Sequence, residues 1–186
     1  MKLQPLHRAR RFGSAMLPAS VSSDDLEWVG QVLSDAEFTL FRRMTIRDQA
    51  HSIAVGRAID THLTELGGRH TWVRQAALLH DVGKSAVRLG TYGRIMATLA
   101  GWVAGEDMAP AWAEKSGLTR RIGLYLQYPK LGADMLRLAE SHPSVVAWSE
   151  EHHDPPERWS VPREAGLLLQ EADDGLLGRR PVRTLR

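Results

Sequence analysis

No cysteine occurs anywhere in this chain of 186 residues. Disulfides and thiolate-bound metals are thereby excluded, so any metal site has to be built from His, Asp and Glu. Long apolar runs are missing too: no stretch approaches the ~18 uninterrupted apolar residues of a membrane span. Lys2, Arg8, Arg10 and Arg11 crowd the N-terminus, yet no continuous apolar segment follows them as in a secretory signal. A cytoplasmic protein is the simplest expectation. Internal repeats, low-complexity tracts and the apolar–polar alternation of strands are also absent, which leaves helices as the building material.

What is present is the composition of a soluble globular domain, 43% hydrophobic and 25% charged, with enough residues to bury a sizeable core. The net charge of +2 hides an asymmetry. Four positive charges sit near the N-terminus, and Arg179, Arg180, Arg183 and Arg186 add four at the other end. Setting those eight aside leaves the segment between them at −6. A negative body argues against a basic nucleic-acid-binding face. The ends are expected to be solvated tails, with weak contact to RNA or an anionic membrane as the alternative. The expected organisation is a basic flexible arm over 1–20, one helical domain over 21–178, and a basic tail over 179–186.

Helix signals punctuate the middle. Ser22-Ser23-Asp24-Asp25 reads as a helix start that turns Leu26, Val29, Val32 and Leu33 inward. Ser34-Asp35-Ala36-Glu37 is a capping-box pattern for a short second helix carrying Phe38, Leu40 and Phe41. A third helix is predicted from near Thr45 to a stop at Gly67-Gly68, and a fourth over about 71–81. Residues 90–127 are the least regular. There 95–103 suits one helix, 111–113 part of another and 118–126 a third, with Trp102 and Trp112 as packing anchors; a lid is the alternative reading. Leu131, Met135, Leu136 and Ala139 restore helical spacing. Ser144 is expected to cap a helix bearing Val145, Val146 and Trp148, which ends at His152-His153-Asp154 before Pro155-Pro156. The last helix starts near Pro162 with its stripe at Ala165, Leu168, Leu169, Ala172 and Leu176.

Three of these helices aim polar groups at the core. At 100° per residue His51 shares a face with Ala54, Val55, Ala58 and His62, small neighbours that leave room for an ion. A core histidine bonded to a backbone carbonyl is the alternative. His62 lies roughly 16 Å further along the helix and cannot share that ion. His80 completes the stripe of Trp72, Val73, Ala76 and Ala77, so it points inward with Asp81 beside it. Gly83 is expected to make the turn that ends the helix and to bring Lys84 back toward the pair. Asp173 falls among leucines, while Asp174 falls with Gln170 and Glu171 on the polar side. An aspartate in that stripe has to be protonated, paired or metal-bound. Two imidazoles and two carboxylates suit Mn²⁺, Fe²⁺, Co²⁺, Ni²⁺ or Zn²⁺, with positions left open for water or a phosphate oxygen.

The order His51, then His80-Asp81, then Asp173, centred on Leu78-Leu79-His80-Asp81-Val82-Gly83-Lys84, resembles the HD superfamily of metal-dependent phosphohydrolases over roughly 45–176. The resemblance implies an all-α bundle of five or more core helices, here with extra N-terminal helices. It further implies His51, His80, Asp81 and Asp173 as metal ligands, and Lys84 as the group that holds or neutralises a phosphate. The substrate implied is a small phosphate ester, often a nucleotide. Later residues are similar to the HD-GYP branch, with Tyr128-Pro129-Lys130-Leu131-Gly132 where that branch has His-Pro-x-x-Gly, and His152-His153-Asp154 where it has His-His-Glu. Tyr128 and the missing Gly-Tyr-Pro point to a mononuclear site, or to a second metal held by Asp81 with His152 or His153. In the implied mechanism Asp81 also orients the attacking water. Lys84 and either His152 or His153 stabilise negative charge or protonate the leaving oxygen. For the two adjacent histidines, the preference of a helix C-terminus for cationic side chains is the alternative. His7, His62, His70 and His142 read as surface or structural. Oligomeric state is not legible.

Overall fold

The computed structural model describes residues 20–63, 71–87 and 108–177, with positions 89, 93, 97 and 100 between them. The basic arm except Ser20, the C-terminal tail, Gly67-Gly68, His7, His70, Trp102 and most of the helix expected over 95–103 lie outside those residues. The fold is all-α. Among the described residues there are nine α-helices, one 3₁₀ turn and no strand.

The first two helices are set by their caps. α1 (Ser23–Val32) and α2 (Asp35–Arg42) each begin with a reciprocal capping box, Ser22 with Asp25 and Ser34 with Glu37. Ser34 Oγ accepts from the Glu37 amide at 3.3 Å, and the Ser34 amide donates to Glu37 Oε2 at 2.9 Å. Two otherwise orphaned helix-end donors are thus satisfied. Ser34→Ala is expected to cost about 1 kcal/mol, read as a lower urea midpoint with an unchanged slope.

α3 (Ile46–Leu63) follows Thr45, whose hydroxyl accepts from the Asp48 amide at 3.2 Å. Its buried side runs through Gln49, Ser52, Ile53, Gly56, Ile59 and Leu63. That differs from the face expected around His51: Val55 is buried, but Ala54 is exposed and His51, Ala58 and His62 are half-buried. The cause is close packing on the smallest side chains. A Cβ at Gly56 would stand 2.8 Å from the Trp28 ring and 3.3 Å from Leu78. α3 therefore rolls its Ser-Gly side inward and leaves His51 at the rim.

α4 (Trp72–Leu79) is the axis of the bundle; α3, α8, α9 and both N-terminal helices pack on it. Val73, Ala76, Ala77, Leu78 and Leu79 are completely buried, and each leucine contributes roughly 1.5–3 kcal/mol by leaving water. His80 caps the helix and Asp81 turns the chain (φ −98°, ψ 6°) into a 3₁₀ turn, Val82–Ala86. Gly83 does not end the helix through a left-handed conformation; among the described glycines only Gly117 and Gly175 have positive φ. Its lack of a side chain serves close approach instead. A Cβ there would land on the Tyr128 carbonyl oxygen and stand 2.6 Å from the Gly132 amide.

α5 (Ala109–Ala113) and α6 (Gly117–Leu126) pack on each other. α7 (Tyr128–Leu138) lies against the 3₁₀ turn and against α8 (Pro143–Glu151). The cap of α8 is His142 and not the expected Ser144, because Pro143 takes the first helical position, where no amide is needed. His142 Nδ1 accepts from the Ser144 amide at 3.1 Å, and its ring stacks on Trp72. α9 (Arg163–Asp173) closes the bundle against α3 and α4, burying Ala165, Gly166, Leu169 and Ala172. Among the described residues no helix is long and apolar enough to cross a membrane.

Candidate metal centre

The C-terminus of α4 supplies the first ligand candidate. His80 is the cap of that helix, and its Nδ1 donates to the Ala77 carbonyl at 2.9 Å. The carbonyl is one that the helix end leaves without an amide partner. This bond places the ring proton on Nδ1 and leaves Nε2 as a bare lone pair. Burial holds the imidazole below its ordinary pKa, although Asp81 and Asp173 pull the other way. Nε2 is buried and has no hydrogen-bond partner.

Asp81 follows directly, with a side chain only 2% exposed. Its Oδ2 receives the Lys84 ammonium at 2.5 Å and lies 3.5 Å from His80 Nε2. Burial alone pushes this carboxyl up; Lys84, His80 and His152 outweigh that and hold it well below the usual range. Oδ1 is a second buried atom without a hydrogen-bond partner.

From the rim of α3, His51 Nε2 donates to Asp173 Oδ1 at 2.8 Å, and the same oxygen is 3.7 Å from His80 Nε2. His51 and His80 meet edge to face, with centroids 5.6 Å apart. Asp173 is half-buried and Asp174 exposed, as helical phase predicts. One atom each from His51, His80 and Asp81 lie within 4.8 Å of one another, and this cluster could hold a metal ion. The two orphaned atoms test the fit. A bare imidazole nitrogen and a carboxylate oxygen, both buried and both electron donors, make the kind of pair that a divalent cation satisfies and a proton satisfies only in part. Asp173 adjoins the cluster as a fourth donor and its second carboxylate, hydrogen-bonded to His51.

α8 repeats the arrangement of α4. His152 caps it, and its Nδ1 donates to the Ser149 carbonyl at 3.0 Å. Burial holds this ring well below the ordinary histidine pKa, with His153 and His80 adding to the effect. His152 Nε2 stands 3.9 Å from Asp81 Oδ1, and its ring lies edge-on to His80 at 5.3 Å. His153, by contrast, is exposed. Ser149 ties the two helix ends together, since its hydroxyl donates to the His80 carbonyl at 3.4 Å. Of the seven residues singled out from the sequence, His51, His80, Asp173, Lys84 and His152 gather around Asp81 and His153 lies outside them beside His152, whereas His62 bonds the Ala58 carbonyl of its own helix.

Two participants were not assigned from the sequence. Ser149 orients His152 through its backbone, and no side-chain type signals that role. Tyr128 stood out only as a departure from a histidine; in the structure its hydroxyl bonds His153 Nε2 and lies 3.3 Å from His152 Nε2.

The two buried imidazoles set the acid response of the metal-free protein. Both are held neutral below the unfolded histidine value of about 6.5, so the unfolded chain takes up protons that the folded chain refuses. Stability is then full above about pH 6.5 and falls as pH drops below it, by at most ~1.4 kcal/mol per pH unit for each ring. Urea midpoints of chelator-treated protein between pH 7.5 and 5.5 read this directly; a flat profile would contradict the burial of both rings. Asp81 adds a further loss only at lower pH, as its depressed carboxyl becomes protonated. In comparison with known proteins, the chain matches no family model, no curated protein and no solved structure.

Proposed function

We propose that this chain is a metal-dependent phosphohydrolase of the HD type, acting on a phosphate ester of a nucleotide or related small molecule. The observation that carries the reading is the pair of orphaned buried donors, His80 Nε2 and Asp81 Oδ1, beside His51 and Asp173. In this reading His51, His80, Asp81 and Asp173 hold the ion. When bound, a divalent ion lowers the pKa of water toward neutrality and polarises a phosphoryl oxygen. Lys84 engages Oδ2 of Asp81, so Oδ1 is the oxygen that would face the ion and the water it activates. The Lys84 ammonium, 16% exposed, can turn from Asp81 toward a phosphate. His153 is the solvent-facing group placed to give a proton to the leaving oxygen.

The test is elemental analysis of protein purified without added metal, then a nucleotide panel with Mn²⁺ or Co²⁺. About one ion per chain and release of phosphate or nucleoside from at least one member are expected. Folded, metal-loaded protein inactive across the panel would overturn the reading. A second reading is a non-catalytic signalling or scaffold module in which the ion pins helices or the site binds a nucleotide intact. Tyr128 favours it, because its hydroxyl engages both His152 and His153. That reading predicts nucleotide binding without turnover and a large loss of Tm on chelation.

A further inference from the structure

The first residue of α7 touches three groups beside Asp81: His152, His153 and Lys84. The Tyr128 hydroxyl faces Nε2 of His152 and Nε2 of His153. The Lys84 ammonium lies over its ring, 5.0 Å from the centroid. Its backbone carbonyl is the atom against which Gly83 packs. The residue is buried, at 7% exposure. A phenol carries one proton and here faces two ring nitrogens, so its oxygen donates to one and accepts from the other. Because His152 Nδ1 already donates to the Ser149 carbonyl, the phenol proton goes to His152 Nε2, and His153 Nε2–H donates to the phenol oxygen. The order runs from an exposed imidazole through the phenol to a buried imidazole beside Asp81.

We propose that Tyr128 is the positioning residue of this site: its hydroxyl fixes the tautomer of His153 and holds it to Nε2 of His152, whose own tautomer the Ser149 carbonyl sets, while its ring seats Lys84 next to Asp81. The proposal deepens the hydrolase reading and rests on it for the kinetic part alone. Its structural part, the fixed imidazoles, stands whether or not the protein turns anything over. Hydroxyl and ring act on different groups, so two substitutions separate them. Tyr128→Phe removes the bonds to both imidazoles and keeps the seat for the ammonium. Tyr128→Leu removes both.

The experiment compares full-length wild type, Tyr128→Phe and Tyr128→Leu by ¹⁵N-edited NMR of the histidine rings in metal-free protein, with circular dichroism to verify folding. It then measures kcat and KM with Mn²⁺ on any nucleotide the wild type hydrolyses. Expected for Tyr128→Phe are a folded protein, His153 signals averaging between two tautomers, and kcat down roughly ten- to hundredfold with KM little changed. Tyr128→Leu is expected to add a rise in KM through Lys84. An unchanged, single His153 tautomer in folded Tyr128→Phe would overturn the proposal. Mobile tautomers in the variant with an inactive wild type would uphold the positioning role while refuting the hydrolase reading, so the two failures are told apart.

Discussion

Asp81→Asn is expected to abolish the metal binding proposed for this cluster while leaving the protein folded. The exchange keeps volume and shape in a position 2% exposed but removes the charge that faces Lys84 and His80. It also puts an amide N–H₂ where one of two acceptor oxygens stood, and that group cannot ligate a cation. Loss of even an outer partner of a metal ligand costs roughly 10- to 100-fold in affinity, so loss of the ligand is expected to cost at least about 100-fold. In the hydrolase reading, phosphate release should fall to background with it. Stability changes less. Breaking a buried ion pair costs about 3–5 kcal/mol when the remaining charge is trapped; Lys84 is 16% exposed and can reach water, so roughly 3 kcal/mol is an upper figure. A domain of about 5–15 kcal/mol withstands that. Metal content, Mn²⁺ titration calorimetry and circular dichroism on the same preparation provide the check. Unchanged metal content would remove Asp81 from the site.

Gly83→Ala is expected to produce the largest loss of stability from a single methyl group. The added carbon would meet the Tyr128 carbonyl oxygen and the Gly132 amide, backbone atoms that no rotamer change can move aside. The 3₁₀ turn and α7 have to part, and overpacking of this kind costs about 1–3 kcal/mol or more. At roughly 2–4 °C per kcal/mol for a chain of this size, Tm should drop by roughly 2–12 °C. In the hydrolase reading activity should fall as well, because the turn carries Lys84 and the displaced helix carries Tyr128. Gly30→Ala in α1 is the control: nothing lies within 4 Å of a Cβ there, and an exposed helical glycine is expected to gain about 0.5–1 kcal/mol from the change. Equal losses in the two variants would refute the packing argument.

The contrast between these glycines indicates how far sequence alone reaches. Helix starts at Ser22 and Ser34 were legible because a cap is a local device, complete within four residues. The burial of His80 and the choice of Asp173 over Asp174 were legible because helical phase is local too. His51 was reached through a face that the structure does not bury; it arrives at the cluster from the rim because Gly56 and Ser52 set the roll of α3. The role of Gly83 depends on α7, some fifty residues later, and nothing within its own turn reveals it. The same holds for Tyr128 and Ser149. Their contributions are a hydroxyl and a carbonyl placed by packing, and no spacing rule encodes them. The HD-type resemblance and the chemistry it implies remain a proposal that the assays above decide.

One contact bears on how the chain assembles. His80 and Asp81 are neighbours, and each capping histidine takes its orientation from a carbonyl three residues back in its own helix; these parts of the site form wherever α4 and α8 form. His51 and Asp173 are instead 122 positions apart. Closing a loop of that length is costly in chain entropy, and the cost is met only once α9 docks on α3 and α4. Order of synthesis adds to this, since α9 follows α3 and α4 in the chain. An ion that draws His51 and Asp173 together therefore acts as a clasp on the final step of folding. Refolding with Mn²⁺ present should speed the docking of α9 while leaving the formation of α4 untouched.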